Sequence, residues 1–525
     1  MKGIAAMIKN KKTFENALWV LLFAGLFYYN FCVHPQVILD YDDWSYVSYL
    51  RIPIPWPSFW NPSRVLPELL MPLAGFAGSL VYRLFPSLGY IMAETLVFSV
   101  IITAFEFLYV FLTARFIVRH FSLSSCYGVP VAVMFLLMHF WAFRTELIGN
   151  EYLLRTTNLT CCFFYLIPVL LNYILFFILE NNRELLINFF SADNWKKKFI
   201  ILILLYFTVF SNLFANVVIA VYAFIRIIVS LFSCKKTENN RFNVFVKENS
   251  VYFFILIMWL VSLAFDAFGG RAKVSYGTVD SYSQALFKTD GLKLIIGKFG
   301  NALDSMNKYF ALFSILMLIV AGITLLFSFI KKREGFRHEM EVAFILMISQ
   351  VLITVYILLL CMMVSQRYIF RSDVLITVFG SFFIILCVAV VYVSTKLKAG
   401  VWPVIAICII AAVMSNTPGY TFKDSYSIDI TLSPEKCIAV SQDLVDQVIA
   451  AEANGQSEMD LYVMLTIDMG CQNWPQCSYM QDVFKTTMVR HGIMKGDIAI
   501  NSVIPSEDFN QKYNLDFSEM LLLGK

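Results

Sequence analysis

Apolar runs long enough to cross a lipid bilayer recur along most of this chain, and they restrict its fold more than any other feature. A span needs about 20 consecutive apolar residues. Inside lipid every backbone N–H and C=O has to be paired within the protein, which leaves helices or a closed barrel. Runs of this kind lie near residues 13–33, 88–114, 126–143, 158–180, 249–268, 308–330, 339–364, 372–394 and 400–416. The stretch 198–233 is too long for one straight span and has a polar break at Ser211–Asn216, so it reads as a hairpin of two short helices. The expectation is an all-α polytopic membrane protein with about 11 transmembrane helices.

Composition agrees. Of 525 residues, 59% are hydrophobic and 15% charged, where soluble domains carry about 25% charged. A net charge of +4, scattered over this length, offers no basic stripe for nucleic acid. Lys2, Lys9, Lys11 and Lys12 precede the first run. No small-residue cleavage site follows it, so an uncleaved helix with a cytoplasmic N-terminus is expected.

Basic residues set the orientation, because cytoplasmic loops hold an excess of Lys and Arg. Arg115, Arg119, Lys196–Lys198, Lys235, Lys236, Lys331–Arg333, Lys396 and Lys398 all fall inside if the hairpin crosses twice. The C-terminus then lies on the outer face. Counting residues 65–84 as a further span would invert the loops that follow, and this piece begins with Pro67, Glu68 and Pro72. It is expected as a juxtamembrane or re-entrant helix within one outer loop, 34–87.

The transmembrane domain covers 1–416. After it the composition becomes that of a soluble protein. Strands are expected at 461–467 and 498–504, and helices at 434–453 and 479–491, with Ser433-Pro434-Glu435 as N-cap and first turn. This predicts a small C-terminal α/β periplasmic domain, 417–525. Within it Cys471 and Cys477 flank Asn473-Trp474-Pro475. A disulfide between them is expected in an oxidising compartment, and the alternative is two reduced thiols.

Residues that could carry chemistry gather in the outer loops. Asp40, Asp42 and Asp43 stand just past the first span. Carboxylates at a membrane boundary are costly unless they stay wet, pair with cations or react, and a low-dielectric setting can raise a carboxylate pKa into the range of a general base. An acidic but inert loop is the plain alternative. Trp44 and Trp60 could stack on sugar faces, although interfacial anchoring also explains tryptophan here. Arg64, Arg271, Arg367 and Arg371 are outer-face guanidinium groups suited to a phosphate, or to lipid headgroups. Glu94, Glu106 and Asp266 lie inside or at the end of spans with no evident role. No His/Cys metal spacing, P-loop or nucleophile-elbow motif is present, and the Asn158-Leu159-Thr160 sequon sits at the mouth of a span.

Asp42-Asp43-Trp44 in a long first outer loop, with Arg64 later in that loop, resembles the GT-C superfamily of integral-membrane glycosyltransferases over residues 1–416. Among these the chain is most similar to the bacterial serotype-converting O-antigen glucosyltransferases. The resemblance implies a polyprenyl-phosphate-linked sugar donor, a glycan (O-antigen) acceptor, membrane lipid as surroundings and no metal or other cofactor. It implies that Asp42 is the base, assisted by Asp43 or Asp40, and that a hexose, most simply glucose, is transferred with inversion. Rival readings are a related enzyme acting on lipid A, another cell-wall glycan or protein, and a lipid or glycan transporter or flippase. A transporter would place charges mid-span and show two pseudo-symmetric halves.

Overall fold

The computed structural model describes residues 2–143, 154, 158–186, 189–190, 194–233, 241–270, 289–304, 306–331, 336–364, 368–369, 371–415, 432–466, 473–496 and 498–517. Among them, eight helices are long and apolar enough to cross a membrane. They are α1 (Lys2–Tyr28, continued to Val33 by a π turn), α4 (Tyr90–His120), α6 (Leu159–Asn181), α8 (Leu213–Ser233), α9 (Ser250–Phe268), α11 (Lys308–Ile330), α12 (Phe336–Val364) and α13 (Ser372–Lys396). Three shorter helices fall where spans were expected: α5 (Gly128–Trp141), α7 (Trp195–Val209) and α14 (Trp402–Met414), and a further helix, α10 (Thr289–Asp304), precedes α11. The chain is a multi-pass helical membrane protein. Its hairpin breaks at the expected polar point, between Val209 and Leu213, where the Asn212 amide donates to the Phe164 carbonyl (2.5 Å).

Burial separates the helices by position. α6 and α13 are enclosed, whereas α1 and α11 bury little of their length and carry large apolar side chains outward. That is the pattern of central and lipid-facing members of one bundle.

Two short helices precede α4. α2 (Tyr41–Tyr46) carries the acidic residues. α3 (Pro67–Leu84) fills the leftover apolar piece and turns back through Phe85–Gly89 to pack along α4. Gly78 permits this close approach, since a Cβ there would run into the Glu94 carboxylate, and Gly75 lets α3 meet the end of α2, where a Cβ would run into the Val47 carbonyl.

The C-terminal unit consists of α15 (Pro434–Ala453), β1 (Glu458–Met464), α16 (Gln481–Arg490), β2 (Ala499–Ser506) and α17 (Glu507–Tyr513). Ser433 caps α15 as expected, its side chain accepting from the Lys436 N–H. β1 and β2 pair in parallel from Glu458↔Ala499 to Met464↔Ser506, with an irregularity after Met459. Cys477 is buried here, and Cys471, its expected disulfide partner, lies outside the described residues.

Candidate functional site

The acidic residues form a closed turn. Asp40 is the N-cap of α2: its Oδ1 accepts from the Asp43 N–H (2.9 Å), and the Asp43 Oδ2 accepts in return from the Asp40 N–H (3.3 Å). This is a capping box, in which two carboxylates satisfy two of the amides that a helix start leaves without intrahelical partners. Asp43 Oδ2 also accepts from the Leu39 N–H (3.1 Å). Its Oδ1 accepts from both the N–H (2.8 Å) and the hydroxyl (2.7 Å) of Thr160. Burial pushes the Asp43 pKa up, to about 6, against the lowering effect of these donors. Asp42 is the one carboxylate of the three that faces solvent; Asp40 and Asp43 are buried. Tyr41 lies beside it, and burial together with the Asp42 charge raises the phenol pKa.

The partner of this turn is the start of α6. Asn158 caps that helix, its Oδ1 accepting from the Cys161 N–H (2.8 Å), and its amide group donates to the Asp40 carboxylate. The sequon residues set aside in the sequence are therefore the clamp on the acidic turn. Beyond them α6 runs as a π turn, Cys162–Leu166, just before Pro168. Such turns re-aim side chains and recur at functional sites. Here it presents Phe164 and Tyr165. Phe164 packs at a tilt against Tyr46 of α2 (4.6 Å between centroids) and faces the Arg64 guanidinium (5.6 Å). Tyr165 lies between Arg64 (5.5 Å) and Arg371 (4.9 Å).

The two arginines differ in what holds them. Arg371 forks onto Asp373 through Nε (3.0 Å) and Nη2 (2.5 Å), and Nη2 also reaches Cys161 Sγ (3.4 Å). Arg64 has aromatic faces as its contacts, and among the described residues no carboxylate pairs with it. Burial opposes its charge, yet Tyr165, Tyr368 and Asp266 nearby raise its pKa, so it is a fixed cation. Its position is set by Asp266, at the end of α9, which accepts from the Ser63 N–H (3.1 Å) and hydroxyl (2.5 Å). A buried ion pair, Arg51–Glu68 (2.7 Å), ties the loop upstream; Glu68 also accepts from Asn61 (2.8 Å).

Arg64 opens into a cavity of about 510 Å³. Its polar lining is Arg64, Asp266, Asn61 and Asn212, and its apolar walls include Leu263, Leu359, Leu360 and Met363 from α9 and α12. Trp60 stands at its rim, half exposed, with its own backbone against Gly270. An apolar trough headed by a guanidinium that no carboxylate pairs among the described residues suits an anionic headgroup on a long apolar chain.

Trp44, a candidate sugar contact in the sequence, is fully buried, edge-on to Phe484 of α16 (4.7 Å). Thr487 donates to the Trp44 carbonyl (2.7 Å), Arg490 donates to that of Ser48 (3.1 Å), and the Tyr41 N–H donates to the Pro475 carbonyl (3.1 Å). The C-terminal unit thus grips the acidic turn from the side opposite α6. Arg271 and Arg367 lie outside the described residues.

Two acids unexplained by the sequence also join these parts. Glu94 lies 3.3 Å from His491 Nδ1, which also meets the Tyr90 hydroxyl (2.7 Å), between α4 and the C-terminal unit. Glu106 accepts from Asn30 (2.6 Å), binding the end of α1 to α4. No family model, curated protein or solved structure matches this chain.

Proposed function

We propose that this protein is a GT-C-type membrane glycosyltransferase that moves a hexose from a polyprenyl phosphate to a glycan hydroxyl, with Asp42 as general base. The observation that carries the reading is an exposed carboxylate, Asp42, and an arginine, Arg64, that no carboxylate pairs among the described residues, on elements joined through Asn158–Tyr165. Asp40 and Asp43 are occupied by capping and by α6, so they shape the turn and Asp42 faces solvent to take a proton. Arg64 heads an apolar trough of the kind an isoprenoid phosphate would fill.

In the proposed reaction the acceptor hydroxyl gives its proton to Asp42 as its oxygen attacks the sugar C1. The bond from C1 to the phosphate oxygen breaks on the opposite face, and the phosphate leaves with the electron pair, its charge held by Arg64. A single displacement inverts the anomeric centre. General-base catalysis of this kind contributes about 10²–10⁴-fold, and a fixed cation at the developing charge contributes comparably.

In this reading the bundle has about 11 spans, its N-terminus cytoplasmic and its acidic turn and C-terminal unit periplasmic, in a bacterial inner membrane. The acceptor is an O-antigen unit of lipopolysaccharide and the sugar is glucose. The test is transfer by the purified protein in lipid nanodiscs, with labelled undecaprenyl-phosphate glucose and lipopolysaccharide. Label should appear in the polysaccharide for the wild type and not for Asp42→Asn. A well-folded wild type that transfers no hexose from any polyprenyl phosphate would end the reading.

A further inference from the structure

Between Asp43 and Arg64 the chain contains one charged residue, Arg51. The fold turns that residue inward. Arg51 is buried against Glu68 (2.7 Å) and donates to the carbonyls of Asn61 (2.8 Å), Ile54 (3.1 Å) and Pro62 (3.3 Å). The large apolar side chains around it point the other way: Tyr49, Leu50, Ile52, Ile54, Trp56 and Trp60 are each between 45% and 64% exposed. Pro53, Pro55, Pro57 and Pro62 stiffen the segment. A loop this apolar, with its only charge withdrawn, is not built for water.

Its height is fixed by the neighbouring hairpin. The Tyr206 hydroxyl donates to the Pro53 carbonyl (2.6 Å). Tyr206 lies in α7, four residues before the Phe210 carbonyl that accepts from the Leu66 N–H (3.0 Å) at the hairpin tip. At about 1.5 Å per residue, the Tyr206 backbone lies roughly 6 Å below that tip, and its side chain ties Pro53 to the flank of the helix. The same helix exposes Phe199, Ile200 and Ile203 further down. The loop therefore continues the lipid-facing side of α7, and its tryptophans have the chemistry of a membrane-interface belt.

We propose that residues 49–60 form a wedge inserted into the headgroup–acyl boundary of the bilayer, with lipid as its partner. The wedge places Trp60, and with it the mouth of the Arg64 cavity, at headgroup level, so an anionic lipid headgroup enters from the membrane without passing through water. The proposal stands whether or not the protein transfers sugars.

The test uses tryptophan fluorescence of the full chain in nanodiscs, comparing wild type with Trp56→Phe and with Trp60→Phe. Lipids brominated near the carbonyl end of the acyl chain should quench a component that each substitution removes, and aqueous iodide should leave that component intact. Ile54→Asp, which draws a charge into the boundary, should move the Trp56 component toward iodide quenching. The wedge is refuted if the Trp56 component in the wild type is quenched by iodide and not by brominated lipid. It is equally refuted if neither reagent reaches it, since another part of the protein or a second copy would then cover the loop.

Discussion

The acidic turn and the arginine cavity share one end of the bundle and one connecting segment, yet they treat charge in opposite ways. At the turn, two of three carboxylates are buried and saturated by backbone amides, Thr160 and Asn158. Beside the cavity, Arg371 is forked onto Asp373, while Arg64, in its lining, meets aromatic faces and has Asp266 nearby without a hydrogen bond to it among the described residues. Each region thus spends most of its charges on its own architecture: at the turn Asp42 is set apart by its exposure to solvent, and at the cavity Arg64 is set apart by having no carboxylate hydrogen-bonded to it among the described residues.

The sharpest way to break this contrast is at Asp42. Asp42→Asn should lower transfer by about 10²–10⁴-fold with thermal stability unchanged. Near-normal transfer by a stable variant would show that Asp42 is as structural as its neighbours. Arg64→Ala should come next, at about 10²-fold in transfer, with Arg64→Lys intermediate because the charge stays and the planar fork is lost. Arg371→Ala should cost clearly less than Arg64→Ala. The reverse order would make Arg371 the phosphate ligand and Arg64 the bystander.

Asp43→Asn should act on folding instead, lowering stability by about 1–3 kcal/mol through its lost acceptors. The measurement is the melting temperature of purified protein, with transfer normalised to the folded fraction. The smallest effect is its pH dependence. Burial raises the folded-state pKa of Asp43 from 3.8 to about 6. A carboxyl raised in this way stabilises the fold fully below the unfolded value and loses that contribution as pH climbs through the folded one. The advantage of wild type over Asp43→Asn should therefore shrink between about pH 4 and 6 and stay level above that. A difference that is flat across this window would contradict the burial assigned to Asp43.

Much of the fold was legible because hydrophobic length and periodicity are local properties. The helix from Lys308 to Ile330, the break at Asn212, the Ser433 cap and the helix over 434–453 were each read from their own residues. Asp40-x-x-Asp43 also carries a local signal, that of a capping box, but the sequence reading took it as chemistry. Nothing local marked Trp44 as buried, since the residue that covers it and the hydroxyl that bonds its carbonyl lie in α16. The sequon at Asn158 was set aside because it sits at the mouth of a span, and nothing local pointed to its partners, Asp40 and Asp43, more than a hundred positions away.

The sequence by itself determined a multi-pass helical chain, the limits of most helices and a polar C-terminal unit. Lipid demands internally paired backbone, and the apolar runs state that demand residue by residue. Only the tertiary structure decided which charges were used up. Asp266 reaches across 203 positions to hold Ser63 beside Arg64, and Thr160 reaches across 117 to bury Asp43. A carboxylate or guanidinium looks the same in sequence whether or not a partner meets it, and that meeting depends on packing between helices far apart in the chain.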